Sequence, residues 1–245
     1  MPELPEETSI DPASPDYIIQ MARSVLGVDY RSIHVTPVGQ AIIGWMRAAH
    51  DQILAIGELV RDGRTSATGP NARTVMEITL RLMWLLGLDD RAAGLRAQFE
   101  GESRKANSHP RNLESMGLEL KIEEATARID LDQFGPLDTK LQGVASRVLD
   151  FSRATKDSAG FYHTWQAATQ FTHATAALYE AYAPTSAFGT FTNPPASIDW
   201  SGNLNGVSMV ICAIVGQILI DEGVGHDDAM SFLIASATAE TTQRT

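Results

Sequence analysis

Cysteine is almost missing: 245 residues contain one, Cys212. A lone thiol excludes an intrachain disulfide and any zinc site built on several cysteines. It lies in the apolar run Val207–Gly216, where it reads as a small core hydrophobe. Strand patterning is missing too. No stretch alternates polar and apolar residues between turn signals, and nothing repeats at a fixed period. A basic, then apolar leader is also lacking, since the chain opens Met-Pro-Glu-Leu-Pro-Glu-Glu-Thr, acidic and proline-rich. The most apolar stretch, Leu204 to Ile220, is interrupted by Asn205, Ser208 and Gln217 and bounded by Asp221 and Glu222. That is short and polar for a membrane span and suits a central buried helix. These absences predict a cytoplasmic protein with no membrane partner.

Positive charge is scarce: 19 Lys and Arg stand against 30 Asp and Glu, a net charge of -11. General nucleic-acid binding needs clustered cations that release counterions, so this balance argues against it. The shortage is uneven. From Arg61 to Arg111 there are nine basic and six acidic residues, and the rest of the chain holds ten against twenty-four. One locally basic segment is set in an acidic protein.

What is present is helical periodicity in an ordinary globular mixture, 44% hydrophobic and 20% charged. Residues 1–14 read as a disordered acidic tail and 15–240 as a single helical domain. Ser14 and Pro15 predict the cap and first position of a helix that stops at Gly27. The second helix runs from Thr36-Pro37 to Asp62-Gly63 with an apolar stripe at Val38, Ile42, Trp45, Ala49, Ile53, Ile56 and Val60. Gly69-Pro70-Asn71 opens a third, oily on most of its circumference, which reaches Leu86-Gly87. Weaker segments follow at Asp90–Ala106, Asn112–Ile129 and Pro136–Thr155. A seventh helix is expected from Ser158 to Tyr182, then a loop over Thr185–Pro195. The eighth covers Ile198–Glu222, and the last begins at His226. Such helices with mostly short connections predict an all-α, irregular up-and-down bundle of about eight or nine helices.

Two polar stripes break the oily surfaces. Arg73, Glu77 and Arg81 follow at intervals of four on one face of the third helix. They read either as an Arg-Glu-Arg ladder or as a pocket wall offering two guanidiniums to an anion, with Glu77 orienting them. On the seventh helix His163, Gln166, Gln170 and His173 share a face, a hydrated seam or a site in which His173 and His163 supply acid–base work. The histidines are ten residues apart, not the three or four that brings two ligands together on a helix, so no metal and no cofactor are expected. Burial disfavours lone charges, so the two stripes are expected to meet, His173 facing Glu77. His34, His50 and His226 say less.

The stretch Gly69–Leu86, with Asp89-Asp-Arg-Ala, and later Tyr162-His-Thr-Trp-Gln-Ala-Ala-Thr-Gln-Phe-Thr-His173, resembles an uncharacterised bacterial helical family, a domain of unknown function. That family shows Arg-x3-Glu on one helix and Ser/Thr-x3-His on another, over about half of this chain. The resemblance implies a shared fold and a site at Arg73, Glu77, Thr169 and His173. A second motif, Arg104-Lys-Ala-Asn-Ser-His109, resembles the Arg-x4-His of HEPN-type helical ribonucleases. There, paired subunits cleave RNA without metal, which implies Arg104 and His109 as catalytic residues and a homodimer. Here Pro110 follows directly, whereas the family carries the motif inside a helix. Three functions therefore stand: binding a small or polymeric anion between the third and seventh helices, RNA cleavage, and a non-catalytic assembly subunit.

Overall fold

The computed structural model describes residues 11, 13–31, 33–106, 130–175, 200 and 202–239, with positions 115, 177–178, 182–183 and 189 between them. Every regular element among these residues is helical. Nine α-helices are described: α1 (Pro15–Leu26), α2 (Pro37–Arg61), α3 (Gly69–Leu86), α4 (Arg91–Ala106), α5 (Thr139–Ala145), α6 (Val148–Arg153), α7 (Ala159–Thr169), α8 (Leu204–Asp221) and α9 (His226–Ala237). Two 3-10 turns, Thr65–Thr68 and Leu131–Phe134, join them. The all-α bundle read from periodicity is the fold found.

The early helices begin where their caps demand. Ser14 Oγ accepts from the Tyr17 amide at 3.3 Å, and Pro15, which has no amide hydrogen to leave unpaired, follows it. Thr36 repeats the device for α2: its Oγ1 accepts from the Gly39 amide at 3.1 Å. The same hydroxyl donates to Glu222 Oε2 at 2.6 Å, tying the start of α2 to the end of α8.

Helix α8 is the axis of the packing. It contacts α1, α2, α3 and α9. Leu204, Val207, Ile211, Ile214, Val215, Ile218 and Leu219 are all buried on it. By length and composition it is the one described helix able to cross a membrane, at a mean hydropathy of 1.8, contrary to the expectation that the run is too short and polar. Its ten buried residues nevertheless sit inside the bundle. Against α9 the approach is closest at Gly216, where a Cβ would lie 3.0 Å from the Ala229 carbonyl oxygen.

One buried polar chain crosses this core. His50 on α2 is fully buried, and its Nδ1 lies 2.8 Å from the Met46 carbonyl. A carbonyl only accepts, so Nδ1 carries the proton and Nε2 is the acceptor. Ser208 Oγ donates to Nε2 at 2.9 Å, and Ser236 Oγ lies 2.8 Å from Ser208 Oγ. Cys212 Sγ sits 3.7 Å from the same imidazole nitrogen. Burial pushes the Cys212 thiol up to about 12, partly offset by the Ser208 hydroxyl, so it stays protonated as a core side chain. The pair Ser208–His50 has the spacing of a nucleophile and base, yet both residues are 0% exposed, as are Ser236 and Cys212. It is a pin between α2, α8 and α9.

Three expected boundaries move. The stretch expected as one helix over 136–155 is two, because Ser146 donates back to the Gly143 carbonyl and Arg147 is extended. The seventh helix ends at Thr169, not Tyr182. Thr169 and Thr172 return their hydroxyls to the carbonyls four residues back, Thr175 bonds the Gln170 carbonyl, and the backbone tightens to i→i−3 bonds at Gln170 and Phe171. The eighth starts at Leu204, with Trp200 non-helical. The helix expected at 112–129 and the loop at 185–195 lie outside the described residues except at positions 115 and 189, and the tail at 1–14 except at 11, 13 and 14.

The buried imidazole gives the fold a pH signature. Desolvation lowers His50 from 6.5 to about 4 despite the Met46 carbonyl, which favours the charged form. Between those values the unfolded chain takes up a proton that the folded one refuses, so stability falls as pH drops from 6.5 to 4. The loss should reach about 3 kcal/mol. Urea denaturation from pH 7 to 4.5 should show this slope in the native protein. It should be shallower in His50→Leu/Ser208→Ala, which removes the imidazole together with its donor.

Candidate functional site

Helix α3 turns its charged stripe toward α6 and α7, both of which it contacts. Glu77 is the hub. Arg81 Nη2 donates to its Oε1 at 2.9 Å, and Arg73 Nη2 lies 3.4 Å from its Oε2. The indole Nε1 of Trp165 on α7 donates to the same Oε2 at 3.3 Å. The three α3 side chains are recessed, at 30%, 23% and 15% exposure for Arg73, Glu77 and Arg81. An exposed i,i+4 pair contributes only about 0.2–0.5 kcal/mol. Partial burial and a third donor make this carboxylate worth more, since charge-assisted hydrogen bonds strengthen as water is excluded.

Aromatic faces hold the guanidiniums in place. Arg73 Cζ stands 5.6 Å from the Trp165 ring centroid, and Arg81 Cζ stands 4.9 Å from that of Phe151 on α6. Trp165 in turn stacks on Tyr162, with centroids 5.7 Å apart and planes 25° apart. Two donor nitrogens remain over: Arg73 Nε and Arg81 Nη1 are buried and meet no acceptor among the described residues. The backbone positions of residues 73 and 81 are about 12 Å apart along an ideal helix. Their guanidiniums converge all the same, because both touch one carboxylate. The cluster keeps a net charge of +1 with two unused N–H groups.

The meeting of Glu77 with His173 does not occur. His163, Gln166, Gln170 and His173 are all exposed, and α7 turns Trp165 and Ala168 toward its neighbours. Because the helix ends at Thr169, His173 falls in the following turn and leaves the face that periodicity gave it. Trp165 supplies the hydrogen expected from the imidazole. Thr169 bonds its own helix, donating to the Trp165 carbonyl at 2.8 Å, and Gln170 caps the helix end. Of the expected site residues, the structure gathers Arg73, Glu77 and Arg81, while His163, Gln170 and His173 stay exposed and Thr169 turns to its own helix. Trp165 and Phe151 were missed. A tryptophan four residues from the Ala-Ala-Thr end of α7 gave no sign that its N–H pointed at a carboxylate.

The other motif is split by the described boundary. Arg104 lies in the last turn of α4, with Nε 3.4 Å from Glu100 Oε1 and Nη1 3.5 Å from Gln142 Oε1. His109 lies outside the described residues. Among the described residues no three His, Cys, Asp or Glu side chains gather as a metal site would require.

Glu77→Gln should test the hub directly. It halves the acceptors facing three half-buried donors while keeping the side chain's shape. Leaving a charged donor unsatisfied costs about 1–3 kcal/mol, so chemical denaturation should show a loss of that order. A loss below half a kcal/mol would mean the ladder is no more than a surface feature.

No family model, no curated protein and no solved structure matches this chain.

Proposed function

We propose that the seam between α3 and α7 binds a small oxyanion, a carboxylate or phosphate group, with Arg73 and Arg81 as donors and Glu77 orienting them. The observation that carries this reading is the pair of buried guanidinium nitrogens, Arg73 Nε and Arg81 Nη1, that meet no acceptor among the described residues. Buried donors in native proteins are almost always satisfied, so such a pair on a net positive cluster suits an anion that completes it. Glu77 keeps two like charges from repelling each other and fixes which edges stay free. The recessed guanidiniums favour a compact anion over a polymeric one. The histidines lie on the exposed face of α7 and its turn and take no part, so the reading is one of binding, without a chemical step.

Mass action supplies the test. An anion at ten times its dissociation constant adds about 1.4 kcal/mol, or roughly 3–6 °C in melting temperature for a domain of this size. Phosphate or sulfate should raise the melting temperature by that order beyond chloride at matched ionic strength. The triple variant Arg73→Gln/Glu77→Gln/Arg81→Gln, which leaves no lone charge behind, should lose the anion-specific part. An equal rise in native protein and variant would defeat the proposal and leave the cluster as a structural ladder. Metal-free RNA cleavage that disappears in His109→Ala would instead favour the ribonuclease reading.

A further inference from the structure

The far end of α3 lines a cavity that shares no residue with its charged stripe. Met83, Trp84, Leu86, Gly87 and Leu88 form one side and Ile214 of α8 lies across from them, with Ala154, Thr155 and Lys156 at the end of α6. Its volume is about 520 Å³. Ligand clefts run from about 300 to 1,000 Å³, mostly apolar with a few polar groups that fix orientation. This half-open hollow has that make-up, and among its described lining residues the one charged group is the Lys156 ammonium. Lys156 is exposed and pairs with no carboxylate among the described residues.

The segment bearing that cation is fixed in place. Thr155 Oγ1 donates to the Phe151 carbonyl at 2.8 Å, and Ser158 Oγ reaches the Ser152 carbonyl at 2.7 Å. Asp157 completes the reversal in the left-handed region at φ 57°, a conformation that Asp adopts more readily than most residues. Four consecutive positions are thereby held between α6 and α7, and Lys156 is kept beside an oily hollow.

From this we infer that the cavity takes a free amphipathic small molecule, with its apolar body against Met83, Trp84, Leu88 and Ile214 and one anionic head on Lys156. A lipid surface is the less suitable source of the same chemistry. One lysine is not the basic cluster that anionic bilayers attract, and the chain's net charge of -11 opposes such a surface. The site shares no residue with Arg73, Glu77 and Arg81 and does not depend on the reading of that seam.

The probes are decanoate, octanoate and decanol, titrated calorimetrically against the full chain. Decanoate should bind at one site, and octanoate roughly fifteenfold more weakly, because each buried methylene contributes about fourfold. Lys156→Met should weaken decanoate about tenfold or more and leave decanol unchanged. Ala154→Phe, at an exposed position on the wall, should abolish binding of both while circular dichroism and melting temperature stay native. Three results would each overturn the inference: no saturable binding of decanoate; binding indifferent to both substitutions; or binding removed by Arg73→Gln, which leaves Trp84 and Phe151 untouched and would move it to the other seam. Co-sedimentation with vesicles of phosphatidylserine, in the absence of decanoate binding, would show a lipid surface as the source and sink the free-ligand assignment.

Discussion

Helix α8 can sit in only one kind of place, and that necessity arranges the rest of the bundle. Seven of its aliphatic side chains are buried on one broad face, while Met209, Ala213 and Gln217 on the opposite face are exposed. A face so apolar needs neighbours across its whole width, because each part left in water forfeits the free energy of burial. α1, α2, α3 and α9 supply those neighbours. Gly216 allows α9 to come within reach of the backbone itself. The hydroxyl of Ser208 cannot be left unmatched in such surroundings, so α2 must carry a partner at the same level. His50 is that partner, and the requirement fixes how α2 is rotated against α8. Burial of a polar atom thus specifies the register that greasy contact alone would leave loose.

The same rule governs the seam on the other side of α3. Glu77 had to be matched, and three donors competed by geometry. Arg73 and Arg81 were certain to reach it, four residues away on either side along the same helix. The third place could have gone to an imidazole or to an indole. It went to Trp165 because α7 half-buries its large aromatic ring and exposes its amides and histidines, which water solvates well. Turning the helix to bring the histidines inward would have exposed Trp165 and Ala168 and buried two amides, a trade that costs on both counts.

Much of the fold was legible because it rests on local rules. Ser14-Pro15, Thr36-Pro37, Gly27 and Gly87 announce helix ends through hydrogen bonds and dihedral limits that involve only neighbours in sequence. The apolar stripe of α2 and the oily circumference of α3 told which helices would be central. What was hidden depends on contact over distance or on weak local competition. The end of α7 at Thr169 comes from threonine hydroxyls returning to the backbone, an effect too small to outweigh the alanine-rich helix signal read past it. His50 looked like a residue flanking a stripe, since its partners, Ser208 and Ser236, lie 158 and 186 positions further along. Of the candidate site, the Arg73–Glu77–Arg81 spacing was readable as helical arithmetic. Its aromatic supports, Trp165 and Phe151, were not.

Helix α3 then presents two unlike environments along one length. Its second to fourth turns carry charge held by aromatic faces, and its last turn carries only oil. Phe151 stands between them: Arg81 lies over its ring at 4.9 Å, and Trp84, on the cavity wall, lies 6.2 Å from it centroid to centroid. A ring that is 0% exposed and in contact on both sides cannot move toward one without leaving the other. Anything that shifts Trp84 therefore acts on the face against which Arg81 rests, and through Arg81 on Glu77. The contact runs through a single packed side chain with no hydrogen bond of its own, so its effect is one of position and not of charge. Replacing Phe151 by leucine would loosen both neighbours together, while a substitution at Arg73, on the opposite side of Glu77, would leave Trp84 undisturbed.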